Sequence, residues 1–388
     1  MNEPKRDLTS FLVGALLTLA SLSSPAAAQT ATDSTTCDAC IDIAIGNDGN
    51  ARLLQWDAVT QRVSFETVDG SGVVTRIGPF GPFSGWTPRA IASGADSLTR
   101  VLWAHEDGSS ALWLVAPLGV ASAFRFPSTP GLAAVDVAAA ANSETHILSV
   151  RADGAAVVQA VDASGAVART LPFGPYPGWL ATAISDGPDG LTRILWNNAD
   201  GRVGLSKLST DGSLATTRYA AEEGWTALDV AVGGDGLTRI LRAKGDGSVN
   251  LWIVGAADEL VTSANFTTPG GMAPRRLAAG ANGSSQILFT GGGGQAALWA
   301  MTPEGAYQQS SNFKATPPSE GTSSWDVVLE VTANSGSGFC INTPGVGMTF
   351  ETTYQIQRNG DSVFFLHPDD PIDWSTYTAT LSGGNFAA

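Results

Sequence analysis

The stretch WTALDVAVGGDGLTRIL at residues 225–241, followed by GDGSVNLWIV at residues 245–254, decides the fold. Short runs of β-branched and aromatic residues are separated there by Asp-Gly turns. Asp-Gly between apolar runs is a strong local marker of a β-hairpin. We therefore predict four strands in this segment, near 226–232, 238–243, 248–254 and 259–266.

The same order of strands and turns recurs six times along the chain. The units are 46 to 48 residues apart and start at Asp38, Trp86, Leu132, Trp179, Trp225 and Met272. A period of this size is typical of propellers and solenoids. Four strands per unit favour an all-β fold, a six-bladed β-propeller over residues 38–315 with blades of about 47 residues. A β-solenoid is the alternative.

Fixed positions within the units predict where the strands lie. Sixteen residues after each start stands a Leu, preceded by an aliphatic residue, so the second strand is apolar on both faces and should be buried. Six residues after each start the side chain is small: Ala44, Ala92, Ala138, Ser185, Ala231 and Ala278. Small side chains suit strands that crowd around an axis, so we expect the first strand to be innermost.

A second, longer period relates units one to three to units four to six. Four units carry an Asp in the first turn and an Arg four residues later: Asp48 and Arg52, Asp96 and Arg100, Asp189 and Arg193, Asp235 and Arg239. The other two carry neutral polar residues in both places: Asn142 and His146, Asn282 and Gln286. Changing both together avoids an unpaired buried charge. We predict structural ties between turn and strand; ligand binding by the arginines is the alternative.

The first 28 residues have the pattern of a cleaved secretory signal. Lys5 and Arg6 precede an apolar run at 11–22, and residues 26–28 are the small residues that signal peptidase requires. The run is too short to span a bilayer. We therefore expect a secreted protein, extracellular or periplasmic, that is not anchored in a membrane.

The three cysteines, Cys37, Cys40 and Cys340, leave their pairing open. An odd number leaves one thiol outside any intrachain pair. In an oxidising compartment a structural disulfide, local or long-range, is the favoured use of the others.

After the repeats the composition changes. Residues 316–324 form a polar linker rich in Pro, Gly and Ser. Residues 325–388 alternate between apolar and polar again, which predicts a small antiparallel β-module, a sandwich or half-barrel. Because it ends almost on a strand, we expect it to pack on the propeller, to pair with a protein partner, or to be incomplete.

Charge and motifs exclude several functions. With 36 acidic and 21 basic residues the formal net charge is -15, which disfavours nucleic acids and anionic membranes as partners. The sequence contains no nucleophile elbow, zinc-protease motif, P-loop or dinucleotide fingerprint, so no catalytic residue, metal or cofactor is expected. A glycosidase or lyase acting at the channel mouth is the enzymatic alternative; it requires unlike polar groups at the axis.

Aromatic residues in the connections between blades are the best candidates for recognition. The segments FGPFSGW at 80–86 and FGPYPGW at 173–179 are nearly the same, and EEGW at 222–225 is a third version. An aromatic ring held in a rigid turn can present its face to a sugar at little entropic cost. The candidate ligand-binding residues are Phe83, Trp86, Tyr176, Trp179 and Trp225. The alternative is that these rings are core between adjacent blades.

The Asp-Gly-x-Thr-Arg-x-Leu-Trp phrase, seen at residues 189–196, resembles the repeats of secreted bacterial β-propellers, and more distantly those of the tectonin and tachylectin lectin propellers. The resemblance covers about residues 38–315. It implies carbohydrate sites between blades, so a secreted, non-catalytic protein that binds glycans or a surface polymer is the first hypothesis. An extracellular hydrolase or lyase and a protein–protein scaffold are the alternatives.

Overall fold

The structure is a computed structural model of the chain. It describes residues 40–70, 73–116, 119–292 and 295–314, and the strand segments 323–330, 349–359, 362–366, 378–382 and 385–387; from residue 309 onwards it describes the backbone only. The expected signal peptide and Cys37 lie outside the described residues, as do Cys340 and the linker apart from its last two residues.

Six four-stranded sheets follow one another along the chain as blades 1 to 6. Blades 1 to 3 comprise β1 (Cys40–Ile45), β2 (Ala51–Asp57), β3 (Arg62–Val68), β4 (Val74–Phe80), β5 (Trp86–Ser93), β6 (Thr99–His105), β7 (Ser110–Ala116), β8 (Gly119–Phe126), β9 (Ala133–Ala139), β10 (Thr145–Val150), β11 (Ala156–Val161) and β12 (Val167–Phe173). Blades 4 to 6 comprise β13 (Trp179–Asp186), β14 (Thr192–Asn198), β15 (Val203–Leu208), β16 (Leu214–Tyr219), β17 (Thr226–Val232), β18 (Thr238–Ala243), β19 (Ser248–Val254), β20 (Leu260–Thr267), β21 (Ala273–Ala279), β22 (Ser285–Thr290), β23 (Gln295–Met301) and β24 (Tyr307–Lys314).

Each blade is an antiparallel meander in chain order, and the first strand of every blade lines the central channel. The six sheets form a ring, so the predicted six-bladed β-propeller is confirmed and the solenoid alternative is wrong. The four strands predicted for the fifth unit agree with β17 to β20 within one residue. Four of the six repeated first turns place a Gly at positive φ, for example Gly190 at 75° and Gly236 at 76°, a conformation that favours glycine; in blades 2 and 3 Ser97 and Ser143 take this conformation instead.

Side chains pack between adjacent blades rather than within a single core. The repeated leucines of the second strands are fully buried; Leu102, Leu195 and Leu241 each have no exposed surface. Blade 1 also packs against blade 6, where Ile43 and Leu53 share one apolar cluster with Leu288. This contact closes the ring by side-chain packing, since β1 and β21 belong to different sheets.

The first strand of every blade contains a bulge at the same place. The bulge comes just before the residue that stands four places after the start of the repeat unit. The register shifts lie, for example, between Pro88 and Ala90, between Ala227 and Asp229, and between Pro274 and Arg276. A bulge inserts one residue and re-aims the side chains that follow it. The bulges therefore determine which side chain of each first strand faces the axis.

The C-terminal strands form a separate five-stranded antiparallel sheet, β25 (Ser323–Glu330), β26 (Thr349–Asn359), β27 (Ser362–Leu366), β28 (Thr378–Ser382) and β29 (Asn385–Ala387), paired in chain order. Its first strand begins two residues before the predicted module. None of the described residues belongs to a helix long and apolar enough to cross a membrane.

Candidate functional site

The two similar Gly-Pro turns place their central aromatic residues in different environments. Phe83 is 2% exposed and packs edge-on against Trp103 and Trp113, with ring centroids 5.6 and 5.5 Å away. Tyr176, at the same place in blade 4, is 40% exposed and contacts Trp196 at 5.4 Å. Phe83 is therefore part of the core between blades, whereas Tyr176 presents surface to solvent.

Trp86 in blade 2 is buried under other side chains. Its ring lies 4.8 Å from that of His105, and the guanidinium of Arg125 lies 5.3 Å from the ring centroid. Arg125 is in turn 3.6 Å from Asp107. The groups that could meet a ligand at Trp86 are thus already paired with one another.

Trp179 in blade 4 is only partly buried, and two arginines lie over its ring. The guanidinium carbons of Arg202 and Arg218 are 5.5 and 5.8 Å from the ring centroid. The inner side of the ring rests on Gly204, where an added Cβ would come within 3.1 Å of the indole, so glycine is needed for this close approach. Arg218 therefore lies at Trp179, whose amide donates to the carbonyl of Tyr176 at 3.0 Å; we call these Gly-Trp turns between blades, here residues 174–179, the rim turns.

The two arginines over Trp179 are not equivalent. Arg202 is held by Asp200, with Nε 2.8 Å from the carboxylate. Arg218 is the counterpart of Arg125 in blade 2, and Asp200 is the counterpart of Asp107. Asp107 lies near Arg125, but Asp200 is already paired with Arg202. Among the described residues Arg218 makes no ion pair and no side-chain hydrogen bond. Its donors therefore remain available beside an aromatic face.

Trp225 in blade 5 is also half-buried and has cations over its ring. Arg242 and Lys244 lie 5.1 and 5.0 Å from the ring centroid. Arg242 is 1% exposed and sits between Trp225 and Trp252, 3.8 Å from the second ring, while its terminal nitrogens donate to Glu222 at 3.2 Å. Burial lowers the pKa of Arg242, although Glu222 partly offsets this. The sequence analysis did not identify Arg242. The available signal was that blade 5 has an Arg at a position of the repeat where blades 2 and 4 have a Trp.

The four Asp-Arg pairs predicted from the repeat are all in contact. Arg52 donates to Asp48 at 2.7 Å and Arg100 to Asp96 at 2.6 Å; Arg193 and Arg239 donate to Asp189 and Asp235 at 2.6 and 2.7 Å. These hydrogen bonds lower the pKa of Asp48, Asp189 and Asp235.

The paired arginines differ in exposure. The side chains of Arg100, Arg193 and Arg239 are at most 1% exposed, whereas that of Arg52 is 19% exposed. Three of the four arginines are therefore buried where they contact their aspartates, and Arg52 borders a cavity.

His146 takes the place of the arginine in blade 3 and bonds to the next blade. Its Nδ1 lies 2.9 Å from the carboxylate of Asp186 in blade 4. Burial by itself disfavours the charged imidazole, but the contacts with Asp186 and Glu144 outweigh it and raise the pKa of His146. This geometry fits a tie between blades.

The axis carries a set of charges that sequence reasoning missed. Four residues after the unit starts stand Asp42, Ala90, Asp136, Ala183, Asp229 and Arg276. Of these residues the three aspartates, Asp42, Asp136 and Asp229, line a channel of about 130 Å³ between the first strands. At this position of the repeat the first five units have Asp and Ala in turn, which was the available signal. The sequence does not show the bulge, which determines the face of the strand that these residues occupy.

Each axial aspartate ties its own blade to the next one. Asp136 accepts the amide of Val137 at 3.0 Å and that of Ile184 in blade 4 at 2.7 Å. Asp42 and Asp229 repeat this arrangement between blades 1 and 2 and between blades 5 and 6. At the ring closure between blades 6 and 1, Arg276 lies 3.5 Å from Asp42.

Burial dominates the electrostatics of the axis. It raises the pKa of Asp42 to about 7, although Arg276 acts in the opposite direction, and it also raises the pKa of Asp136 and Asp229. The axis thus has the unlike polar groups that the enzymatic alternative requires. Because each carboxylate accepts two backbone amides, these groups are arranged to join blades.

Within the residues that the structure describes, no group of three or more His, Cys, Asp or Glu side chains is placed to hold a metal ion. Cys40 is buried in β1, and Gln55 donates to its sulfur at 3.8 Å.

No protein-family model and no curated protein sequence matches the chain. Solved structures do match its fold. A mutant of the Aleuria aurantia lectin in complex with α-methyl-L-fucoside is 14% identical, with a TM-score of 0.53 over 74% of this chain and 99% of that chain. AofleA from Arthrobotrys oligospora is 10% identical, with a TM-score of 0.52 over 73% of this chain and 88% of that chain. The same fold is described for the Aleuria aurantia lectin, a six-bladed β-propeller. At these identities the likeness establishes the fold.

Proposed function

We propose that the protein is a secreted, non-catalytic glycan-binding protein that recognises sugars at the Gly-Trp turns on the propeller rim. The observation that carries the proposal is the turn of blade 4, where half-buried Trp179 lies beside exposed Tyr176 and beside Arg218, whose donors no other described side chain uses. A pyranose ring presents C–H groups on a face and hydroxyl groups at its edge. The exposed ring of Tyr176 and the available donors of Arg218 match both.

Trp225 offers a second, weaker site of the same kind. Its ring is half-buried, and Lys244 lies over it, but Arg242 is already paired with Glu222. Trp86 is covered by His105 and Arg125, so we assign it a packing role. Two unequal sites on one ring would act together on a multivalent surface, because the second contact is made at a high effective concentration.

The similarity of fold to lectins solved with fucosides supports the carbohydrate class, and the signal-like first 28 residues support export. The C-terminal sheet, whose side chains are not described, stays a candidate surface for a protein partner. An enzymatic function has less support, because the axial carboxylates are engaged by backbone amides.

Replacing Trp179 by Leu is expected to weaken glycan binding at least tenfold with little change in melting temperature. Leu is the natural residue at the same place in blade 3, Leu132, so the fold should tolerate it. Binding would be measured on a glycan array and then by titration of the best glycan. Trp225→Met, which copies Met272 of blade 6, should give a smaller loss.

Val59→Ala, at a fully solvated turn, is the control and should bind like the wild type. Equal binding by Trp179→Leu and the control, or no binding of any glycan by the wild type, would rule out the rim turns as glycan sites.

A further inference from the structure

The fourth strand of every blade forms the outer edge of its sheet. Among the described residues each of these outer strands pairs only with the third strand of its own blade. A free edge presents unpaired backbone N–H and C=O groups that can pair with another chain. Proteins commonly block such an edge with a charged side chain or a proline.

Five of the six outer strands contain a residue of this protective kind. These residues are arginines, a lysine and prolines: Arg76 and Pro79 in β4, Arg125 in β8, Arg169 and Pro172 in β12, Arg218 in β16, and Lys314 in β24. In contrast β20, with the sequence LVTSANFT at Leu260–Thr267, contains no charged residue and no proline. The outer edge of blade 5 therefore lacks the protection that the other blades have.

The difference is clearest at one position of the register. The residue paired with the same third-strand position of the repeat is Arg125 in blade 2, Pro172 in blade 3 and Arg218 in blade 4. In blade 5 it is Asn265, which is paired with Asn250. The repeat thus places a protective residue at this point in three blades, and blade 5 has a neutral amide there.

Pro172 also indicates the direction in which the backbone of this position points. A proline has no N–H, so within a paired strand it is tolerated where the N–H would face away from the ladder. The strands β12 and β20 have the same register, including a bulge near their first residues. The backbone N–H of Asn265 should therefore point outward from the free edge of blade 5.

The strand β20 is held in place while its edge is exposed. On one face the ring of Phe266 packs against that of Trp299 in blade 6, with centroids 6.0 Å apart. Leu260 and Val261 are 46% and 55% exposed. The bulge interrupts the edge at Val261, so its regular part is Thr262–Thr267. This ordered edge can accept a further strand without rearrangement of the blade.

A second copy of the same strand fits this edge. The chain has a net charge of -15, so two copies repel each other unless they meet where neither is charged. Antiparallel pairing centred on Ala264 would place Thr262 opposite Phe266 of the other copy and Ser263 opposite Asn265. Pairs of a β-branched and an aromatic residue stabilise antiparallel strands, and this pairing brings no two charges together.

We propose that two copies of the chain associate through β20, so that their fifth blades form one continuous antiparallel sheet. The contact is isologous, with the two-fold axis at Ala264. A single pair of strands makes a small interface, so the dimer is weak and reversible, with association in the micromolar range. The dimer does not depend on the proposed glycan binding, although it would double the number of rim turns on one particle.

The test is sedimentation velocity of the full chain over a series of micromolar concentrations, where we expect a monomer–dimer equilibrium. Asn265→Arg copies Arg125 and Arg218, and Asn265→Pro copies Pro172, so the blade should tolerate both. Each should raise the dimer dissociation constant at least tenfold: the arginines would repel each other across the interface, and the proline removes the outward N–H. The melting temperature of each variant checks that it folds.

Two controls separate the backbone edge from other effects. Asn250 donates to the side chain of Asn265 at 2.8 Å, and Asn265→Ala removes this hydrogen bond while keeping the backbone N–H and adding no charge. Thr170→Arg adds a charge to β12, at the exposed position that corresponds to Ser263. Both controls should dimerise within about threefold of the wild type, a difference of under about 1 kcal/mol.

Hydrogen exchange at low and high protein concentration locates the interface. We expect the gain in protection on dimerisation to be confined to Thr262–Thr267 within blade 5. A wild type that stays monomeric, dimers that persist in both Asn265→Arg and Asn265→Pro, or an equal loss in either control would overturn the proposal. Protection gained in the C-terminal strands instead would also overturn it, because it would place the interface there.

Discussion

Arg239→Gln is expected to lower the free energy of unfolding by about 3 kcal/mol, because it breaks a buried ion pair from one side only. Arg239 has no exposed surface; it pairs with Asp235 and donates to the carbonyl of Gly283 in the next blade. The substitution leaves the carboxylate and that carbonyl without their partner. The measurement is denaturant unfolding followed by tryptophan fluorescence.

Adding Asp235→Asn should recover about half of that loss, since an unpaired carboxylate is then no longer present. The double variant copies Asn282 and Gln286 of blade 6. Arg52→Gln is the matched control: its pair is more exposed, so the same change should cost under about 1 kcal/mol. If the single and double variants lose the same stability, the two charges are not coupled and the predicted tie is wrong.

Blade number and strand positions could be predicted because their signals are local and repeated. Asp-Gly turns fix hairpins within a few residues, and six copies of one pattern average out accidental sequence features. The doubly apolar second strand, with a Leu at the same place in every unit, indicated burial on both faces, and Leu195 and its copies are buried.

The environment of the aromatic turns could not be predicted, because it depends on residues about 30 positions away. Phe83 and Tyr176 stand in nearly the same turn sequence. Blade 2 supplies two indoles, Trp103 and Trp113, that enclose Phe83, whereas blade 4 has Ser206 in place of the second indole, bonded to Trp196 at 3.0 Å. This Trp-to-Ser difference accompanies the change from a buried to an exposed central ring.

The axial charges were missed for a different reason. A strand alternates between two faces, so reading side-chain direction from sequence assumes that no residue is inserted. The bulges break this rule just before Asp42, Asp229 and Arg276.

Arg276→Met is expected to lower the free energy of unfolding by about 2 to 3 kcal/mol at pH 7.5 and by much less at pH 5. Arg276 faces Asp42, Asp136 and Asp229, and it is the cation that offsets their negative charges. These three carboxylates in turn raise the pKa of Arg276, against the effect of burial. Without the guanidinium, buried carboxylates at pH 7.5 either stay ionised without a counter-charge or take up protons.

The direction of this pH dependence of stability follows from the pKa of Asp42 in the folded state. The pKa of Asp42 is about 7 in the folded protein and about 3.8 when the group is solvated, so the folded state holds the extra proton between those values. Stability therefore falls as pH rises from 4 to 7, and His146, whose folded pKa is also raised, contributes in the same direction. The aspartates that are paired with arginines have lowered pKa values. Their contribution to stability changes only below pH 4, which lies outside the range between pH 5 and pH 7.5.

Arg275→Met is the control, because Arg275 is exposed and stands at the bulge next to Arg276. It should change stability by less than about 0.5 kcal/mol at either pH. Denaturant unfolding of the three proteins at pH 5 and 7.5 gives the comparison. A loss in Arg276→Met that is the same at both pH values would mean that the side chain acts by packing alone; a loss confined to pH 7.5 would identify the axial charges as the group that makes ring closure depend on pH.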